Sequence, residues 1–159
     1  MSRILIYLFS IILLIILPDQ VVKALVIRSN FTFSCNHGFA FGIGQGIESG
    51  LISAFVLTIV FYFLIYELRS TTSNTNKIFA MSLILGGGLS NLVDRLVRGC
   101  VIDFIRWSTL NELPMPNWLQ STLASWPAFN LADAAITVGV GVIIFSLLTN
   151  FKSSFPNDR

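Results

Sequence analysis

The sequence predicts an all-α integral membrane protein of four transmembrane helices with a small β-hairpin at one membrane surface. Three observations carry that prediction. Of the 159 residues, 54% are hydrophobic and 11% are charged, whereas an ordinary soluble domain carries about 25% charged residues. Four long apolar stretches, at about 4–27, 49–66, 78–97 and 129–151, approach or exceed the 20 or so residues that a bilayer crossing needs. Between the first two, phenylalanines alternate with small or polar residues at the period of a strand.

The same numbers bound the function. Ten basic and eight acidic residues leave a scattered charge of +2, which speaks against a nucleic-acid partner. The length suits a single membrane-embedded domain over 1–159, with little left for a soluble core. Cys35 and Cys100 lack metal-ligand spacing and His37 is the one histidine, so no metal or other cofactor is expected. The two cysteines fall on one side of the membrane; a disulfide is possible there, with free buried thiols the preferred reading.

The first apolar run, Ile4 to Leu17, is short for a span and lacks a small-residue cleavage site, so the helix is expected to continue past Pro18 towards Ile27. Asp19 and Lys23 then lie four apart on one face, where an ion pair forms. Phe31, Phe33 and Cys35, then Phe39, Phe41 and Ile43, predict the two arms of a hairpin turning at Asn36-His37-Gly38. Gly42, Gly44, Gly46 and Gly50 allow flexibility or close backbone approach. The second span is uncharged from Ser49 to Tyr66, and Ser70 to Lys77 connects it to the third. Gly86-Gly87-Gly88 in the third span allows a neighbouring helix or a substrate to come close. A loop from Asp103 to Ala128 carries Trp107, Trp118 and Trp126 and is expected to lie along the interface.

Four spans bring the end of span one, the start of span two, the end of span three and the start of span four to one side. Asp19, Lys23, Asn36, Asn91, Asp94, Arg95, Asp103, Asn130 and Asp133 therefore converge. Basic residues divide evenly between the sides, Arg3, Arg69, Lys77, Lys152 and Arg159 against Lys23, Arg28, Arg95, Arg98 and Arg106. With Lys23 and Arg95 set aside as site residues, the balance puts both termini in the cytoplasm and the polar cluster outside.

Asn91-x-x-Asp94 closes the third span and Asn130-x-x-Asp133 opens the fourth, each placing an amide and a carboxyl on one helical face, with Asp103 as a third carboxyl nearby. Carboxyls retained in a membrane protein are functional candidates. Two held close share one proton, and such a pair activates water and protonates a leaving amine. Spacing alone favours Asp94 with Asp133.

Five blocks in order carry a resemblance: Asp19-Gln20-Val21-Val22-Lys23, Asn36-His37-Gly38-Phe39-Ala40-Phe41-Gly42, Gly87 to Arg95, Val101-Ile102-Asp103-Phe104 and Pro127 to Asp133. Together they resemble the bacterial lipoprotein signal peptidases (signal peptidase II), from about Asp19 to Gly139. The resemblance implies an aspartic endopeptidase that cuts diacylglyceryl-modified prolipoproteins just before the lipidated cysteine. It also implies an outer β-cradle and residence in the bacterial inner (cytoplasmic) membrane with the active site at the outer face. It moves the catalytic pair to Asp103 and Asp133, leaving open which is acid and which base. Asp19, Lys23, Asn36, Gly38, Asn91, Asp94, Arg95 and Asn130 take substrate-binding or supporting roles. Partners are then the prolipoprotein signal peptide and membrane lipids, with the enzyme itself a monomer. His37 and Phe39 replace smaller residues of the pattern, and Ser90 replaces glycine.

The competing reading is a small transporter or proton-relay protein using the same carboxyls. Transporter sites lie near the midplane between repeated halves, whereas these carboxyls gather at one surface and the sequence shows no internal repeat. A serine mechanism would rest on His37, which has no evident triad partners.

Overall fold

The computed structural model describes residues 2–39, 43–45, 47–71, 74–106, 116–124 and 126–153. Four long helices dominate it: α1 (Ser2–Arg28), α2 (Ile47–Arg69), α3 (Thr75–Arg98) and α5 (Leu131–Ser153). Three of them, over Ile4–Arg28, Glu48–Arg69 and Leu131–Thr149, are long and apolar enough to cross a membrane. They turn large apolar side chains such as Phe9, Leu14, Phe55, Phe61 and Phe145 outward, as segments solvated by lipid do.

α3 has the opposite character. It packs against α1, α2 and α5 and buries Ser82, Ser90, Asn91 and Asp94. Its glycines make this central position possible, because each faces a different neighbour. A Cβ on Gly86 would meet Ile15 of α1 at 3.0 Å, one on Gly87 would strike the Ala132 carbonyl of α5, and one on Gly88 would strike Leu57 of α2. Gly139 returns the arrangement from α5, where a Cβ would stand 2.7 Å from the Ala80 carbonyl of α3. Helix packing thus accounts for the glycine run. Below it, Leu8, Leu57, Leu64, Ile78 and Leu85 form the apolar core of the bundle.

α3 opens on Asn74, whose side chain accepts the Asn76 N–H, and closes on Gly99, which takes φ 78° and returns its N–H to the Arg95 carbonyl. A left-handed glycine ends a helix sharply, and it turns the chain into β4 (Val101–Asp103). β4 pairs antiparallel with β1 (Ser34–Asn36), in the register Ser34 to Asp103 and Asn36 to Val101. The hairpin expected around Asn36-His37-Gly38 is therefore corrected. β1 reaches across to the far end of α3, while β2 (Gly38–Phe39) folds back on β3 (Ile43–Gln45). Strand alternation was visible locally, but the partner strand, some 67 positions away, was not. Ala40, Phe41, Gly42 and Gly46 lie outside the described residues, as does Trp107.

Cys35 and Cys100 form a disulfide, which corrects the expectation of free thiols. The segment expected to be all loop contains a short helix, α4 (Asn117–Ala124), and Trp118 and Trp126 are exposed. After β4, Ile105 and Phe129 exchange backbone hydrogen bonds at 2.8 and 3.0 Å. That clasp fastens the end of β4 to the start of α5.

Candidate active site

Asp133 is the third residue of α5, and Asn130 caps that helix. The Asn130 side-chain oxygen accepts the Asp133 N–H at 2.9 Å, and Asp133 Oδ2 accepts the Asn130 N–H at 3.1 Å. This reciprocal pair is a capping box, with Asn and Asp in the places more often filled by Ser or Thr and Glu. Asn130 Nδ2 is left free to reach outwards, donating to Asp103 Oδ1 at 2.8 Å. One asparagine thereby joins the carboxyl of β4 to that of α5. Asn91 of α3 completes the second carboxyl's shell, donating to Asp133 Oδ1 at 2.8 Å, and Asn36 of β1 donates to Asp103 Oδ2 at 3.2 Å. Amides, which orient a carboxyl without adding charge, hold both acids.

The other two aspartates are engaged differently. Lys23 is fully buried and directs its ammonium to Asp19 Oδ2 at 2.6 Å, Asp94 Oδ2 at 2.7 Å and Asn91 Oδ1 at 3.0 Å. An ammonium has three protons, and here each has an acceptor. Asp19 also accepts the Ser90 hydroxyl at 2.7 Å and the Ala132 N–H of α5 at 3.1 Å, so a carboxylate of α1 caps α5. Asp94 further accepts from Gln20, Arg98 and the backbone N–H of Ile102. Its bond to the Ile102 N–H ties β4, and so Asp103, to α3. The repeated Asn-x-x-Asp therefore serves two purposes: at Asp133 it presents an acid, and at Asp94 it anchors a buried ion pair.

Arg95 donates to the Gly38 carbonyl at 2.8 Å, connecting α3 to β2. Its Nε is a buried atom without a partner among the described residues. A cleft of about 450 Å³ opens beside these groups, lined by Asn36, Gly38, Asp103, Pro127 and Ala128 among others. Asp103 is 2% exposed. Burial, reinforced by the neighbouring Asp133 charge, pushes its carboxyl up to about 6, against the pull of the Asn36 and Asn130 amides and of Lys23.

All ten residues singled out in the sequence thus fall in one continuous cluster of bonded groups. Sequence reasoning overlooked Gln20, Ser90 and Arg98. Gln20 lies inside a quoted block next to Asp19, and Ser90 is the hydroxyl in place of a glycine; Arg98 stands four residues after Asp94, the spacing of a helical ion pair.

The family model described as Signal peptidase (SPase) II matches residues 11–149. The chain belongs to the signal peptidase II family. Among its relatives is the lipoprotein signal peptidase of Chlorobium phaeobacteroides (strain DSM 266 / SMG 266 / 2430), 37% identical over 121 residues that cover 76% of this chain and 69% of the relative. That of Thermodesulfovibrio yellowstonii is 37% identical, covering 82% and 78%. That of Pelodictyon phaeoclathratiforme is 32% identical, covering 93% and 94%. Two solved structures described as bacterial membrane enzymes share the fold, with TM-scores of 0.72 and 0.67 at 24% and 27% identity. The alignments cover 96% of this chain and 94% of the first, and 89% and 92% for the second. As a signal peptidase II, the protein is a multi-pass membrane peptidase that removes signal peptides, and the transporter reading is not favoured.

Proposed function

We propose that this signal peptidase is an aspartic endopeptidase acting on diacylglyceryl-modified prolipoproteins, cutting just before the lipidated cysteine, with Asp103 and Asp133 as the catalytic pair. The observation that carries the reading is the contrast among the aspartates. Asp19 and Asp94 are bonded to cations, whereas Asp103 and Asp133 are held by amides and joined through Asn130 beside an open cleft. Asp103, whose carboxyl is pushed up to about 6, is the member that carries the shared proton in the one-proton form of the pair. Asp133, as a carboxylate, takes a proton from the attacking water while Asp103 protonates the carbonyl oxygen. Collapse of the tetrahedral carbon breaks the C–N bond, the departing nitrogen takes the proton from Asp133, and Asp103 regains its own from the diol. Arg95, whose Nε has no partner among the described residues, is in this reading a donor to a backbone carbonyl of the bound peptide.

In this reading the whole chain is one domain with four crossings. α3, at 24 residues, is about 36 Å long, sufficient to span, and its polar groups face the other three helices instead of lipid. Both termini lie in the cytoplasm, the β-strands rest on the outer surface of the bacterial inner membrane, and the enzyme works as a monomer. The lipid-facing surfaces flank the site, so the diacylglyceryl chains remain in the bilayer while the peptide enters the cleft. A gel-shift assay in detergent tests the substrate. The purified protein should shorten a diacylglyceryl-modified prolipoprotein and leave its unmodified precursor intact; equal cleavage of both would remove the lipid from the reading.

A further inference from the structure

The sulfur bridge has no part in the chemistry described so far, yet it lies against the site. Cys35 and Cys100 have Cα atoms 5.5 Å apart and are separated by 65 positions in the chain. Side chains alternate across a strand, so the register places Cys35 with Ile102 on one face of the β1–β4 ladder and Asn36 with Asp103 on the other. His37 approaches the Gly99 carbonyl with Nδ1 at 3.3 Å, as an N–H donor. Both residues flanking Asn36 are therefore fastened to the turn that ends α3, one covalently to Cys100 and the other to Gly99. Asn36 is suspended between them with both polar atoms of its side chain bonded: Oδ1 accepts the Gly38 N–H at 3.0 Å, and Nδ2 donates to Asp103 Oδ2. A two-stranded ladder three residues long is marginal by itself, and Cys35, Asn36 and His37 are all exposed. Hydrogen bonding alone would hold the Asn36 amide loosely.

We propose that the Cys35–Cys100 disulfide, together with the His37–Gly99 contact, is a positioning device that holds the Asn36 amide against Asp103 and so sets the protonation of the catalytic pair. The proposal rests on Asp103 belonging to that pair. It makes the peptidase sensitive to reduction: a dithiol gives two electrons and two protons to the bridge, leaving two cysteine thiols and a cyclic disulfide of the reductant. Attack falls on the exposed Cys35 sulfur, since Cys100 is buried. The charged groups facing Asp103 from the other elements are Asp133 of α5, Lys23 of α1 and Arg95 of α3. Two titratable groups also touch the bridged segment, His37 with Nε2 3.5 Å from Cys35 Sγ and Arg95 through the Gly38 carbonyl. The Asn36→Ala background is what separates a shift carried by Asn36 from one carried by either of them.

The test compares the full-length protein in detergent with Cys35→Ser/Cys100→Ser, Asn36→Ala and the triple variant, using a diacylglyceryl-modified prolipoprotein as substrate. Thiol labelling under non-reducing conditions verifies the bridge. Loss of one charge-assisted hydrogen bond corresponds to about a tenfold change. The double variant should lose about tenfold in kcat with KM within about twofold, and the alkaline midpoint of kcat/KM should rise to that of Asn36→Ala. In the Asn36→Ala background, removing the bridge should change neither. A double variant with wild-type rate and profile, or one whose effects add fully to those of Asn36→Ala, overturns the proposal. If the double variant does not fold, reduction of the wild type and its reoxidation replace it: activity and midpoint should change and return, and constancy of both overturns it. Activity in Asp103→Asn with the bridge intact would instead refute the assignment of the pair.

Discussion

Asn130 donates its side-chain amide to Asp103 Oδ1 across 2.8 Å, so the residue that caps α5 also orients the carboxyl of β4. The fold uses the end of a helix, where an asparagine is favoured for its own sake, to bring together two acids thirty positions apart. Asn130→Ala should lose the cap, worth about 1 kcal/mol, and reduce turnover by about tenfold or more through Asp103. Asn130→Asp keeps a capping acceptor but turns a buried carboxylate on Asp103, Asn91 Oδ1 and the Ile102 carbonyl, so it should melt below wild type and fail to cleave even where it is folded. Melting curves and cleavage rates measured together check both, and full turnover in Asn130→Ala would refute the link.

The protonation of Asp103 predicts a pH dependence. Its carboxyl, pushed up from 3.8 to about 6, holds a proton more tightly folded than unfolded. Its contribution to stability is therefore greatest at low pH and is lost as pH rises through the window between those values. In the proposed mechanism the one-proton form of the pair is the active one, so kcat/KM should fall on the alkaline side with an apparent midpoint near 6 that belongs to the pair. Asn36 donates to the ionised form and lowers that midpoint. In Asn36→Ala it should move upward; a downward shift, or none, would contradict the assignment.

Much of the site was legible in the sequence because covalent order and span count place it. Asp19 and Lys23, four apart on α1, could be read as an ion pair, and reading the long apolar stretches as alternating crossings gathered nine polar residues that the structure brings together. What escaped was long-range pairing. Nothing local tells Ser34 that its partner is Asp103, and the spacing of Asn91-x-x-Asp94 is identical to that of Asn130-x-x-Asp133. Only the surroundings differ, because Asp94 meets Lys23 and Arg98 while Asp133 meets amides. α3 shows the same limit: apolar enough to read as a span, it is built around buried polar groups that only its three neighbours satisfy.

Lys23 marks where stability resides. Removing one member of a buried ion pair leaves an uncompensated charge and costs about 3–5 kcal/mol. Lys23→Met leaves both Asp19 and Asp94 without their ammonium. The variant should give little folded protein and a sharply lower melting temperature, whereas Lys77→Met, which removes a longer 3.8 Å contact made by a lysine side chain 29% exposed, should lower it by much less.

The glycines separate close packing from tolerance. Gly139→Ala would set a methyl 2.7 Å from the Ala80 carbonyl and should destabilise by about 1–3 kcal/mol. Gly141, two residues on, has nothing within 4 Å of such a methyl, and its replacement by alanine should be neutral or stabilising by up to about 1 kcal/mol through helix propensity. Thermal unfolding of the two variants side by side checks the packing of α5 on α3.

Asp103 and Asp133, and not Asp94, are proposed to perform the cleavage. The direct measurement is the single-turnover cleavage rate of a diacylglyceryl-modified prolipoprotein by folded Asp103→Asn, Asp133→Asn and Asp94→Asn, each judged against its own melting temperature. The first two should fold as the wild type does and cut nothing, while whatever Asp94→Asn loses should follow its loss of stability, its residual folded enzyme still cutting. Cleavage surviving in well-folded Asp103→Asn, together with none in well-folded Asp94→Asn, would contradict this assignment and move the pair to Asp94 and Asp133.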